Sequence, residues 1–198
     1  LTSLLNLFIK NGYCITDMIT KEKHEVYYDD SQYSLIKSGE VMRESNYVSE
    51  QATGLMYKRN VSDPLKPYVS KIEMGSTTYK ELPDFVKLFN LQLTSQIKPI
   101  MKAKMTREVA IIEKGNDKLY VSFDKVFYST LTSAEVYEEM LEIEDWKAPN
   151  TMNVDHEYEN HLLEANRLIS DSMLPLVLTK DSKPYRGFIL LRKNGIIT

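Results

Sequence analysis

Arg43, Lys58, Arg107, Asp124, Glu142 and Glu144 share an awkward placement, each sitting inside a stretch that otherwise reads as a strand. Arg43 stands in Val41-Met42-Arg43-Glu44, Lys58 in Leu55-Met56-Tyr57-Lys58, and Arg107 amid Met105-Thr106-Arg107-Glu108-Val109. Asp124 follows Val121-Ser122-Phe123, and Glu142 and Glu144 flank Ile143. As residue types, guanidinium and ammonium groups grip anionic oxygens, and carboxylates hold hard divalent cations. Taken one at a time, these positions read as the solvent side of half-exposed strands, because alternation is the default of antiparallel sheets. Taken together, they also suit a closed barrel whose outer face packs under helices while its lumen holds charge.

Other chemistries find less support. No glycine-rich phosphate loop or dinucleotide fingerprint is present. His156 and His161 are five apart on an expected helix, whereas four apart puts two ligands on one face. His24 beside Glu25 reads as a surface pair, and Cys14, with no base nearby in sequence, as a core residue. Glu138-Glu139 reads as a solvated strand edge. The 13 tyrosines fit strand packing rather than a site, given their β-propensity.

The elements that must position these residues alternate in period. Helices are expected over Ser3 to Lys10, Gln32 to Lys37, Thr78 to Leu91 and Val154 to Ser172. The third opens on a capping-box spacing, and the fourth carries Leu162, Leu163, Ala165, Leu168 and Ile169 at helical spacing. Extended stretches are expected at Tyr13 to Met18, Glu25 to Tyr28, Val41 to Tyr47, Leu55 to Arg59 and Tyr68 to Glu73. More follow at Pro99 to Ile112, Lys118 to Tyr128, Val136 to Glu144 and Arg186 to Leu191. Lys114-Gly115-Asn116-Asp117 reads as a hairpin turn. Meanders interrupted by a few helices indicate α+β rather than a βαβ repeat.

The 198 residues suit one domain, spanning 1–198, large enough to bury a core without crosslinks. A net charge of −3 gives no basic excess for general nucleic-acid binding. One cysteine and three histidines cannot build the usual structural zinc clusters. A lone cysteine makes a cytoplasmic setting the default expectation. No apolar run approaches the roughly 20 residues that span a bilayer, so no membrane association is expected, while a homodimer is allowed for.

The motifs, in order, resemble the CYTH family, the triphosphate tunnel metalloenzymes. His24-Glu25-Val26-Tyr27-Tyr28-Asp29-Asp30 is similar to the family's Tyr-Tyr-Asp-Thr segment, and Ser34 through Arg43 to the run that ends in Leu-Arg-x-Arg. Lys58 holds the place of the next strand's lysine, and Lys104-Met105-Thr106-Arg107 resembles the central strand with a further arginine. Leu119 through Val126 looks like the following strand with its metal-side aspartate, Asp124. Met140-Leu141-Glu142-Ile143-Glu144 resembles the Glu-x-Glu strand, and Ser182-Lys183-Pro184-Tyr185-Arg186-Gly187 the C-terminal Ser-Lys segment. The resemblance covers about Glu25 to Phe188. Two departures stand out: the family's opening Glu-x-Glu-x-Lys strand is not found in these residues, and Ser45 replaces the second arginine of Leu-Arg-x-Arg.

The resemblance implies a closed eight-stranded antiparallel β-barrel with surrounding helices, its first strand either upstream of Leu1 or lost. It implies an Mg²⁺- or Mn²⁺-dependent triphosphatase, with inorganic tripolyphosphate, thiamine triphosphate or a nucleoside triphosphate as substrate. Arg43, Lys58, Arg107, Lys183 and Arg186 would bind phosphate, Asp124, Glu142 and Glu144 would hold the metal, and Glu142 and Glu144 would be catalytic. The alternatives are a tri- or polyphosphate-binding module without turnover and an adenylate cyclase of the same family.

Overall fold

A computed structural model describes residues 1–48, 53–61, 70–76, 86–87, 89, 91, 93, 95–131, 134–145, 156–177 and 179–197. In chain order its elements are α1 (Thr2–Lys10), β1 (Cys14–Asp29), α2 (Ser34–Ser38), β2 (Glu40–Tyr47), β3 (Thr53–Val61) and β4 (Ser70–Ser76). There follow β5 (Lys98–Lys114), β6 (Asp117–Ser129), β7 (Glu135–Asp145), α3 (His156–Ser170) and α4 (Lys183–Lys193). The helix expected over Thr78 to Leu91 falls mostly outside the described residues; Val86 and Lys87 are helical.

Two expected stretches, Tyr13 to Met18 and Glu25 to Tyr28, form one continuous strand, β1. The turn between β5 and β6 is tight, and Gly115 takes a positive φ of 63° there. Asn116 does not share it: Tyr33 is the sole non-glycine with positive φ among the described residues. A glycine at the first central position is what a type II′ hairpin requires.

Arg186 to Leu191 was expected to be extended and is instead the body of α4. Ser182 caps this helix by accepting from the Tyr185 N–H at 3.4 Å, and Pro184 sits in its first turn, where a missing N–H costs nothing. Pro184, Gly187, Phe188 and Leu191 are its buried residues, a spacing of three, four and seven that only a helix puts on one side.

The strands form one sheet of order β4-β3-β2-β1-β5-β6-β7, and β1/β2, β2/β3 and β3/β4 pair antiparallel. The α+β class stands. The closed eight-stranded barrel does not form among the described residues, because the order is linear with β4 and β7 at its ends.

The chain divides into two compact units, to both of which β1, β5, β6 and β7 contribute residues. One consists of residues 1–20, 107–124 and 139–179. Its core joins Leu4, Leu5 and Phe8 of α1 to Ala110 and Ile112 of β5, Leu119 and Val121 of β6, and Ala165 and Leu168 of α3. Phe8, Ile112, Leu119 and Val121 are fully buried, each contributing about 1.5–3 kcal/mol of hydrophobic stabilisation. Cys14, expected in the core, is exposed, because alternation turns its neighbour Tyr13 inward instead.

The other unit consists of residues 21–106, 125–138 and 180–198. Leu35, Met42, Leu55 and Tyr57 form its core, with Tyr28, Val86, Phe89, Leu91, Leu93 and Ile97 packed against them. Two buried aspartates set the start of α2. Asp29 accepts from the N–H groups of Leu35 and Ile36 at 3.0 and 2.9 Å, and Asp30 from those of Gln32 and Ser34 at 2.9 and 3.0 Å. The bonds from Ser34, Leu35 and Ile36 satisfy first-turn helix donors that would otherwise be orphaned. The Asp29-Asp30 pair of the sequence motif therefore builds the backbone rather than a site.

Candidate functional site

Alternation sorts the charged residues onto one side of each strand. In the first unit Ala110, Ile112, Leu119 and Val121 enter the core, so Arg107, Ser122 and Asp124 belong to the opposite side. On β7, Leu141 and Ile143 pack against that core, while Glu142 and Glu144 alternate with them.

Arg107, Asp124 and Glu142 meet there. Arg107 Nε and Nη2 donate to Asp124 Oδ1 and Oδ2, both at 2.7 Å, and Nη2 also donates to Glu142 Oε2 at 3.0 Å. Asp124 is fully buried, and the Arg107 and Glu142 side chains are 18% and 23% exposed. Burial works against the guanidinium charge, but hydrogen bonding and attraction from Asp124, with the charges of Glu142 and Glu144, raise its pKa still further. The charge that looked anomalous in a strand has its anionic partner one strand away.

The second unit holds a separate network on β1 and β2. The register sets Tyr27 opposite Arg43, Glu25 opposite Ser45 and Lys23 opposite Tyr47. Glu25 is the hub, its side chain fully buried. Lys23 Nζ lies 2.6 Å and Arg43 Nη1 2.9 Å from Glu25 Oε1. Ser45 Oγ donates to the same oxygen at 3.4 Å, and the Tyr27 hydroxyl donates to Oε2. Burial alone would raise the Glu25 pKa. Arg43 and Lys23, with the hydrogen bonds from Lys23 and Tyr27, outweigh it and hold the carboxyl at about 2. Arg43 Nη2 also contacts Met56 Sδ at 2.9 Å. Lys58 pairs across from Val41, which places it on the Arg43 side of the sheet.

Lys183 and Arg186 belong to α4. The Lys183 carbonyl accepts from the Tyr128 hydroxyl at 3.1 Å. Arg186 Nε donates to Glu138 Oε1 at 2.9 Å, and its Nη2 donates to the same oxygen. Glu138 is thus no solvated edge residue: its side chain is 15% exposed and paired.

No family model and no curated protein matches the sequence. Among solved structures, the chain is similar to the PH1819 protein of Pyrococcus horikoshii, with 17% identity, coverage of 98% of this chain and 94% of that one, and a TM-score of 0.48. It is similar to a candidate adenylate cyclase of Bacillus halodurans at 18% identity, covering 84% and 82%, with a TM-score of 0.47. A third is HpAC1 of Hippeastrum, a candidate adenylyl cyclase described as having dominant triphosphatase activity. It shares 12% identity over 99% and 90% of the two chains, with a TM-score of 0.47.

The expected residues therefore fall into separate groups: Arg107, Asp124 and Glu142 in direct contact, Arg43 and Lys58 on one side of β2 and β3, and Lys183 and Arg186 on α4. Among the described residues, no three acidic, histidine or cysteine side chains are grouped so as to hold a metal ion. Asp124 gives both oxygens to Arg107. Glu142 and Glu144 remain as two carboxylates on one side of β7, and one or two carboxylates are what a magnesium ion commonly takes when phosphate oxygens complete its shell.

Lys23 and Tyr27 were given no site role from the sequence. Glu25, read with His24 as a surface pair, is instead buried while His24 alone is exposed, because neighbours on a strand point to opposite sides. Lys21-Glu22-Lys23-His24-Glu25 looks like a solvated run, yet alternation puts Lys23, Glu25 and Tyr27 on one side of β1, facing Arg43 and Ser45. That spacing was the available signal.

Proposed function

We propose that this chain is a metal-dependent phosphohydrolase acting on triphosphate-type substrates, within the CYTH family that its motifs resemble. The observation that carries this reading is the Arg107–Asp124–Glu142 cluster beside Glu144: a forked cation and carboxylates held together on the polar side of adjacent strands. Acid and base coexist in it because each relieves the desolvation of the other. Phosphoryl transfer asks chiefly for positioning and neutralisation of charge, and planar guanidinium forks match phosphate oxygens.

In this reading Arg43 and Lys58 bind phosphate oxygens from β2 and β3, and Lys183 and Arg186 do so from α4. Arg107 exchanges part of its hold on Glu142 for phosphate. Glu142 and Glu144 would hold Mg²⁺ or Mn²⁺, with Asp124 joining only when the Arg107 fork releases it. When bound, such an ion neutralises phosphate oxygens and favours ionisation of a coordinated water. The substrate is a small triphosphate: tripolyphosphate, thiamine triphosphate or a nucleoside triphosphate.

Phosphate release from each of these, with Mg²⁺, with Mn²⁺ and in excess chelator, tests the proposal. Release that needs the metal supports it. Cyclic AMP formed from ATP in place of phosphate would move the reading to a cyclase. The close engagement of Asp124 by Arg107 favours a second reading, binding of tri- or polyphosphate without turnover. Tight tripolyphosphate binding without release would select that reading, and neither binding nor release would end both.

A further inference from the structure

We propose that Lys23 is a phosphate-oxygen ligand of this chain and that Glu25 is the positioning residue that sets Lys23 and Arg43 side by side for that purpose. The inference rests on the triphosphate reading above and names residues which that reading did not contain.

Lys23 is 7% exposed as a residue, an uncommon depth for an ammonium group. An ammonium carries three N–H donors. Among the described residues, its polar partner is Glu25 Oε1 at 2.6 Å, and the Tyr47 ring lies beneath it with the centroid 5.0 Å from Nζ. Those two contacts fix the ammonium in place and leave donor capacity for further oxygens.

The register strengthens the case. Opposite Glu25, β2 offers Ser45, a hydroxyl rather than a cation. Lys23 supplies positive charge to Glu25 from two residues earlier on β1, so Lys23 and Arg43 converge on one carboxylate oxygen. Groups that share an oxygen at 2.6 and 2.9 Å are already spaced to share a phosphate oxygen. Glu25 does not touch substrate in this arrangement. It keeps both cations oriented for the charge that develops in the transition state, while its own negative charge takes up part of their hold on the bound substrate.

Calorimetric titration of the full chain with inorganic tripolyphosphate, at fixed ionic strength and neutral pH, gives the first test. Lys23→Met should weaken binding by at least about tenfold, equivalent to roughly 1.4 kcal/mol, and Lys23→Arg should retain most of the affinity. Equal affinity in Lys23→Met and the parent would overturn the role of Lys23 while leaving the triphosphate reading in place. A parent protein that neither binds nor cleaves tripolyphosphate would overturn both.

Glu25→Gln separates positioning from mere structure. It releases two cations from their carboxylate, so tripolyphosphate affinity should hold or rise while kcat for phosphate release falls, by about tenfold or more. Glu25→Asp should recover part of kcat. Affinity and kcat falling together, with no recovery in Glu25→Asp, would overturn the positioning role.

Discussion

Arg107 and Asp124 are joined fork to fork, with Nε and Nη2 each 2.7 Å from a different carboxylate oxygen. The pair links β5 to β6, and Asp124 has no solvent exposure. Its geometry is the bidentate one, in which both strength and orientation are set by two parallel hydrogen bonds. Arg107 is therefore a structural cation as well as a candidate phosphate-binding group.

Arg107→Ala should destabilise the ligand-free protein. Removing one partner of a buried pair leaves the other desolvated, at a cost of about 3–5 kcal/mol. For a chain of this size that corresponds to a fall in melting temperature of about 2–4 °C per kcal/mol. Replacing both partners, as Arg107→Met with Asp124→Leu, should recover most of the loss. Thermal unfolding of parent, single and double variants makes the comparison. An unchanged melting temperature in the single variant would mean that the pair does not form in solution.

Glu142→Gln with Glu144→Gln retains volume while removing two charges from the polar side of β7. Glu142 also accepts from Arg107 at 3.0 Å, so a modest stability loss of about 1 kcal/mol is expected. Metal-dependent phosphate release should fall by at least about a hundredfold, the scale of losing a group that stabilises transition-state charge. Circular dichroism checks the fold and a phosphate assay the activity. Undiminished release from a folded double variant would remove both glutamates from the metal site.

Several of these relationships were legible in the sequence because they follow from strand alternation alone. Asp124 and Glu142 could be put on the side away from Leu119, Val121, Leu141 and Ile143 without coordinates, and Gly115 announced its turn. The pairing partners could not be read, since register is a tertiary property: nothing local says that Glu25 lies opposite Ser45 or that Arg107 reaches Asp124. The misreading of Arg186 to Leu191 has a different origin. Phe188-Ile189-Leu190-Leu191 is a continuous apolar run, and periodicity alone does not distinguish strand from helix in so short a run. The deciding signals lay just upstream, in the Ser182 cap and Pro184. The number of strands and their closure depend on ladders between distant segments, which single-chain patterns do not specify.

Gly187→Ala should destabilise α4 although alanine is the better helix former. A Cβ built on Gly187 would lie 2.5 Å from Cδ1 of Tyr128. Tyr128 is fully buried and tethered through its hydroxyl to the Lys183 carbonyl at 3.1 Å, so the ring has little room to yield. Overpacking of this kind costs about 1–3 kcal/mol. Urea unfolding should show the loss, and Tyr128→Leu in the same background should reduce it by freeing the space. A Gly187→Ala variant as stable as the parent would show that α4 sits farther from Tyr128 than described.

The Glu25 hub predicts an acid limb in the stability of the protein. Arg43, Lys23 and Tyr27 overcome the effect of burial and bring the Glu25 carboxyl from an ordinary 4.5 to about 2. A carboxylate with a depressed pKa in the folded state binds fewer protons there than in the unfolded chain. Its stabilisation is therefore complete above about pH 4.5, declines as the pH falls, and is gone below about pH 2. At about 1.4 kcal/mol per pH unit, the gap between the two values corresponds to a contribution of about 3 kcal/mol. Glu25→Gln cannot titrate, so it should be less stable than the parent at neutral pH, and the difference should shrink across that window. Denaturant unfolding of both proteins, repeated at steps from about pH 6 to pH 2.5, reads the difference directly. Parallel curves for the two proteins would show that Glu25 is not an ionised, paired carboxylate in the folded chain, and with it would go the proposed hold on Lys23 and Arg43.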